Sequence, residues 1–148
     1  MKPVAVFRFS PTEGPGHFGE WLEAQGIPHA LFALDRGDSV PAAARAFAGI
    51  GMMGGPMSAN DDLPWNAPLL GLLRDAVSAD VPVIGHCLGG QLFAKSLGAK
   101  VGRATATEIG WSEVKGSPRA FFADQLSGTR VQRHHRRSGG AGRSAGAA

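Results

Sequence analysis

Cysteine is nearly missing from this chain of 148 residues: Cys87 stands alone. One thiol excludes an internal disulfide framework and suits a reducing compartment, with the cytoplasm as the expected location. Long apolar runs are also missing. None approaches the ~18 residues of a membrane span. The stretch Met1 to Phe9 is broken by Pro3 and Arg8 and lacks a small-residue cleavage site, so it reads as a first strand and not a leader. Acid is missing after Asp124. Residues 128–148 carry Arg130, Arg133, Arg136, Arg137 and Arg143, so the net charge of +3 conceals a mildly acidic remainder. Glycine, arginine, alanine and serine without apolar periodicity cannot bury enough surface to offset ordering entropy, which predicts a disordered basic tail over 128–148. Charge without interleaved aromatics or a motif attracts nucleic acid only non-specifically, so no specific nucleic-acid partner and no membrane are expected.

What is present alternates. Val4, Val6, Phe7 and Phe9 form a β-like run, and residues 10–16 form a loop. Phe18, Trp21 and Leu22 then recur at helical spacing up to Gly26 and Pro28, and Ile27 to Leu34 reads as a second strand. Pro41 to Phe47 reads as a short alanine-rich surface helix and Ala48 to Met53 as a third strand. Asp61 and Asp62, ahead of Pro64 and Trp65, read as helix-capping groups in preference to a metal cluster. Leu69, Leu70, Leu72, Leu73, Ala76 and Val77 mark an amphipathic helix that stops at Ser78-Ala79-Asp80. Ala99 to Gly102 and Glu108 to Val114 read as further short strands, and Arg119 to Leu126 as a last helix. Such alternation specifies an α/β fold: an open, mostly parallel sheet with helices on both faces and a site at the carboxyl ends of its strands.

The stretch from Val81 to Gln91 organises the rest. A strand from Val81, Val83 and Ile84, expected to be buried, stops at Gly85, exposes Cys87 and leads into a helix through Leu92, Phe93 and Leu97 that ends at Gly98. Gly85, Gly89 and Gly90 are expected to permit the sharp turn. A thiol at the start of that helix meets unpaired N–H groups and about half a unit of positive charge, which favours thiolate over thiol. A lone cysteine after a strand is otherwise a small buried hydrophobe. Two glycines and a proline, Gly54-Gly55-Pro56, follow the third strand and mark a close backbone approach.

The string G-x-C-x-G-x-Q at Gly85, Cys87, Gly89 and Gln91 resembles the nucleophile elbow of class I, triad-type glutamine amidotransferases. The Gly54-Gly55-Pro56 turn resembles the G-G-P or G-P-G turn that this class carries beside the nucleophile, and the segment MSANDDLPW and the string EIGW resemble its GMP synthase-like subgroup. This resemblance implies a flavodoxin-like domain over residues 1–127 and no cofactor or metal. By position, Cys87 is then the nucleophile, with the N–H groups of Leu88 and Gly55 as oxyanion donors and Gln91 helping to hold the substrate. The implied reaction is thiol attack on the side-chain amide of glutamine or another γ-glutamyl amide. Ammonia leaves and a glutamyl thioester is hydrolysed; the ammonia passes to an unknown acceptor, for which a synthetase is one candidate partner, or is simply released.

The likeness spans residues 3–118. Family members carry a His-Gly-Asp-like segment and then a His-Pro-Glu segment after the elbow, and neither string occurs here. His134 and His135 lie among arginines with no acid after them and do not match the family's base and orienting carboxylate. The sequence therefore reads as a C-terminally shortened domain. Its alternative reading is a catalytically inactive remnant or interaction module that keeps the elbow without the His/Glu relay.

Overall fold

The computed structural model describes residues 1–102, 111–113 and 130–132. The chain divides into two units, Met1–Gly102 and Arg103–Ala148. In the first, the strands are β1 (Val4–Arg8), β2 (His29–Ala33), β3 (Gly49–Met52) and β4 (Val83–Gly85), and the helices are α1 (Gly16–Ala24), α2 (Asn66–Ser78) and α3 (Leu88–Ser96). All strand pairs are parallel and the sheet order is β2-β1-β3-β4. This is the flavodoxin-like order, in which the loops after β1 and β3 diverge to opposite faces and leave a crevice at the carboxyl ends of the strands.

Alternation along the strands fills two cores. Ala5 and Phe7 of β1 and Ile50 and Met52 of β3 join Leu69, Leu72, Leu73 and Ala76 of α2 and Leu88 and Leu92 of α3 on one face. Val6 faces the other way and meets Leu22, Met53 and Phe18 around α1. Gly51 admits α1, because a Cβ there would lie 2.6 Å from Phe18 Cε1. The alternation expected from sequence is thus the fold observed, with helices on both faces of a parallel sheet.

Each helix ends in the same hydrogen-bonded reversal. After α1, Gly26 has φ 63°, its N–H donates to Glu23 O, and Ile27 N–H donates to Leu22 O at 2.8 Å. After α3, Gly98 (φ 89°) and Ala99 donate to Lys95 O and Ala94 O. After α2 the left-handed residue is Asp80 (φ 56°), with Val81 N–H donating to Ala76 O. These are Schellman motifs, which satisfy the last helical carbonyls.

Several expectations are corrected. Pro41 to Phe47 holds only one 3-10 turn, Ala44–Ala46. Ala44 is fully buried and its N–H donates to Asp75 Oδ2 at 2.7 Å, so a tertiary clamp overrides alanine's helix propensity. Asp61 and Asp62 do not cap α2, whose N-cap is Trp65 with no side-chain cap bond. Asp61 closes its own turn by accepting from Ser58 N–H at 2.9 Å. Ala99 to Gly102 is not a strand, because Ala99 N–H is spent on the end of α3 and Val101 O accepts from Asn60 Nδ2. Nor is β4 buried: it is an edge of the sheet among the described residues, and Ile84 is 46% exposed.

In the second unit, β5 (Trp111–Glu113) and β6 (Arg130–Gln132) pair antiparallel, with Trp111 opposite Gln132. Three residues of the segment read as a structureless tail therefore form a strand. The rest of 128–148, together with Glu108, Arg119 to Leu126, His134 and His135, lies outside the described residues.

Candidate active site

Cys87 stands between β4 and α3 with φ 52° and ψ −112°, as the N-cap residue of the helix. A non-glycine residue there stores of order 1–3 kcal/mol and persists only when its surroundings over-determine it. Both flanks are tied to the end of β3: His86 N–H donates to Met52 O at 2.9 Å and Gly89 N–H to Met53 O at 3.1 Å. The glycines serve a different purpose from the one expected, since none of Gly85, Gly89 and Gly90 has positive φ. They allow contact. A Cβ on Gly85 would lie 2.6 Å from Gly89 C and Gly90 N, and one on Gly89 would lie 2.6 Å from Met52 O. Strand and helix meet backbone to backbone, and the strain of the turn falls on Cys87 itself, which presents an exposed thiol.

The turn after β3 lies beside the elbow. Cys87 Cβ is 3.7 Å from the point where a Cβ on Gly54 would stand, and Leu88 Cδ2 is 2.9 Å from the same point on Gly55. Among the described residues, neither Leu88 N–H nor Gly55 N–H donates a backbone hydrogen bond. Leu88 opens α3, so its N–H is one of the four that a helix leaves without an internal partner. Gln91 is exposed on the first turn of α3, and its N–H donates to Cys87 O at 3.2 Å. The structure thus brings Cys87, Leu88, Gln91 and the Gly54–Gly55 turn to one place. An exposed sulfur, a helix N-terminus and two N–H groups without backbone acceptors can accommodate a nucleophile and a developing negative charge.

One residue the sequence reading passed over also arrives there. Glu13, in the loop after β1, places its carboxylate where a side chain on Gly54 would begin. The only signal in the sequence was an acid in a loop at the carboxyl end of a strand. The loop before α2 is held to α3 by Lys95 Nζ, which donates to Ala59 O at 2.9 Å and to Asn60 Oδ1 at 3.0 Å. A separate cleft of about 470 Å³, lined in part by Asp35, Asp38, Val40 and Trp65, includes none of the residues around Cys87. Its two carboxylates are engaged, Asp35 with Arg8 at 3.0 Å and Asp38 with Ala33 N–H at 2.7 Å. Among the described residues no group of three or more His, Cys, Asp or Glu could hold a metal ion, and no helix is long and apolar enough to cross a membrane.

Comparison with known proteins bears on the same elements. A glutamine amido transferase from Methylobacillus flagellatus superposes with a TM-score of 0.73 and 57% identity, over 75% of this chain and 45% of its own. A glutamine amidotransferase from Thermotoga maritima gives a TM-score of 0.78 at 26% identity, over 90% of this chain and 60% of its own. In sequence, the glutamine amidotransferase-like protein YfeJ of Salmonella typhimurium (strain LT2) is 32% identical over 103 residues, 66% of this chain and 43% of YfeJ. A glutamine-hydrolyzing GMP synthase of Tropheryma whipplei (strain Twist) is 38% identical over 74 residues, half of this chain and 14% of that enzyme. The chain therefore spans less than half the length of these curated relatives. The family model for glutamine amidotransferase class-I matches residues 22–141, most of the sequence including β2 to α3 and the elbow, and this chain belongs to that family.

Proposed function

We propose that this chain carries the nucleophile and oxyanion half of a glutaminase site, on a domain over residues 1–127 with 128–148 as a basic appendage. The observation that carries the reading is the exposed Cys87 thiol on a strained elbow against the Gly54–Gly55 turn. The Leu88 and Gly55 N–H groups, which donate no backbone hydrogen bond among the described residues, are the two oxyanion donors in this reading. Cys87 Sγ attacks the side-chain amide carbon of glutamine or another γ-glutamyl amide, and the oxygen takes up negative charge facing those two donors. The C–N bond then breaks, the nitrogen acquires a proton and leaves as ammonia from glutamine or as the corresponding amine from another γ-glutamyl amide, and water hydrolyses the thioester to glutamate and free thiol. Gln91 helps hold the substrate, and no metal or cofactor takes part. A synthetase domain or partner is the proposed ammonia acceptor. The similarity to GMP synthases, which the matched segment covers to only 14%, supports that choice. A free thiol fits a reducing cytoplasm.

A second reading, an inactive or interaction module, is favoured by the absence from the sequence of His-Gly-Asp and His-Pro-Glu strings. Loss of triad members leaves roughly 10³–10⁴-fold acceleration over water in well-studied hydrolases. We therefore expect trace ammonia release from glutamine, lost in Cys87→Ala. Release unchanged by Cys87→Ala removes the nucleophile assignment. Cys87-dependent turnover of about 1–10³ per second shows instead that this chain supplies a base, with His134 and His135 as the first candidates to substitute.

A further inference from the structure

Glu13, in the loop after β1, reaches the turn after β3 that lies beside the Cys87 elbow. Its backbone is set by the loop, where Glu13 N–H donates to Ser10 O at 3.1 Å. Its carboxylate fills the space over Gly54, and Cys87 Cβ lies 3.7 Å from that same point, so Glu13 and Cys87 border the same turn. The ion pairs among the described residues are Arg8–Asp35 and His17–Glu20, and Glu13 belongs to neither. Glu13 is half-buried. A carboxylate withdrawn from water without a counter-charge is costly, and a ligand that brings a cation relieves that cost. Glycine at 54 is what leaves room for it.

We propose that Glu13 is a specificity-determining residue that receives a cationic group on the molecule presented to Cys87. The chemistry that fits is an ammonium separated by a short aliphatic spacer from the reacting carbonyl, as the α-ammonium of a γ-glutamyl amide is. Anionic molecules are disfavoured at the same thiol. The identity of that substrate rests on the glutaminase reading. The charge selectivity of the thiol does not.

The test reads the thiol directly. The protein is treated with two methanethiosulfonates, one ending in a trimethylammonium group and one in a sulfonate, and the second-order rate of Cys87 modification is measured for each. In a water-like dielectric, a carboxylate about 6 Å from the reagent's charged group alters each rate about threefold in opposite senses, so the cation-to-anion ratio falls about tenfold in Glu13→Gln. Glu20→Gln, an equal change of net charge on the exposed face of α1, leaves the ratio as it was. Should Glu13→Gln fail to fold, Gly54→Ala displaces the carboxylate at constant net charge and lowers the ratio in the same direction. A ratio within about twofold of the parent in whichever of these variants folds overturns the proposal. Charge selectivity without ammonia release keeps this inference and sinks the glutaminase reading. Ammonia release whose KM for glutamine is unmoved by Glu13→Gln does the reverse for the substrate assignment.

Discussion

A methyl group added at Gly85 would press on Gly89 C and Gly90 N at 2.6 Å, backbone atoms that cannot yield without dragging the elbow with them. The same group at Gly54 meets the far end of the Glu13 side chain, which can swing into solvent. Gly85→Ala is therefore expected to cost about 1–3 kcal/mol in urea unfolding, and Gly54→Ala less than about 1 kcal/mol. Equal losses would mean that Gly54 is needed for backbone packing and not for the carboxylate. Cys87 was legible in the sequence through the resemblance of its G-x-C-x-G-x-Q string to the family's elbow, because a lone thiol after an apolar run otherwise reads as a small buried hydrophobe. The purpose of those glycines was not legible: a sequence shows that a Cβ is absent, not whether the absence serves conformation or contact. Glu13 was hidden for a further reason. Its neighbour Gly54 is remote along the chain, and only the pairing of β1 with β3 brings the two loops together.

At the level of elements, α1 and α3 place glycine at the left-handed residue of their terminal reversals, while α2 places Asp80 there at φ 56°. For an L-residue with a side chain that conformation costs roughly 1–2 kcal/mol, partly recovered by aspartate's local hydrogen bonding. Asp80→Gly is expected to raise stability by about 0.5–1 kcal/mol and Gly98→Ala to lower it by about 1 kcal/mol, read as shifts in the urea midpoint. A lower midpoint in Asp80→Gly would show that its side chain does more for the α2–β4 junction than its backbone costs. The helix stops at Gly26 and Gly98 could be read directly from composition, as could the apolar spacing of α2. What could not be read was decided by distant partners. Ala44 gave up a helix for an N–H bond to Asp75, and Asp61 turned back on Ser58 instead of capping α2.

On the scale of the molecule, the described sheet has two open edges, β2 and β4, with Leu31 43% and Ile84 46% exposed. Unpaired N–H and C=O groups beside exposed apolar side chains invite another chain to add a strand, and a lysine at such a position opposes it. Self-association by sedimentation velocity is expected to fall in Ile84→Lys. Association unchanged in Ile84→Lys and also in Leu31→Lys would place the contact elsewhere. Strand β4 is held to the sheet by only three residue pairs with β3, and that same pairing carries the bonds from His86 and Gly89 that fix Cys87. Fraying starts at edges and at short ladders. When β4 peels away, the thiol loses its posture at the moment the rim of β3 becomes available to a neighbouring molecule. Loss of the Cys87 elbow and the onset of association should therefore keep the same clock, so that a preparation of this protein grows sticky as fast as its thiol loses its exposed posture.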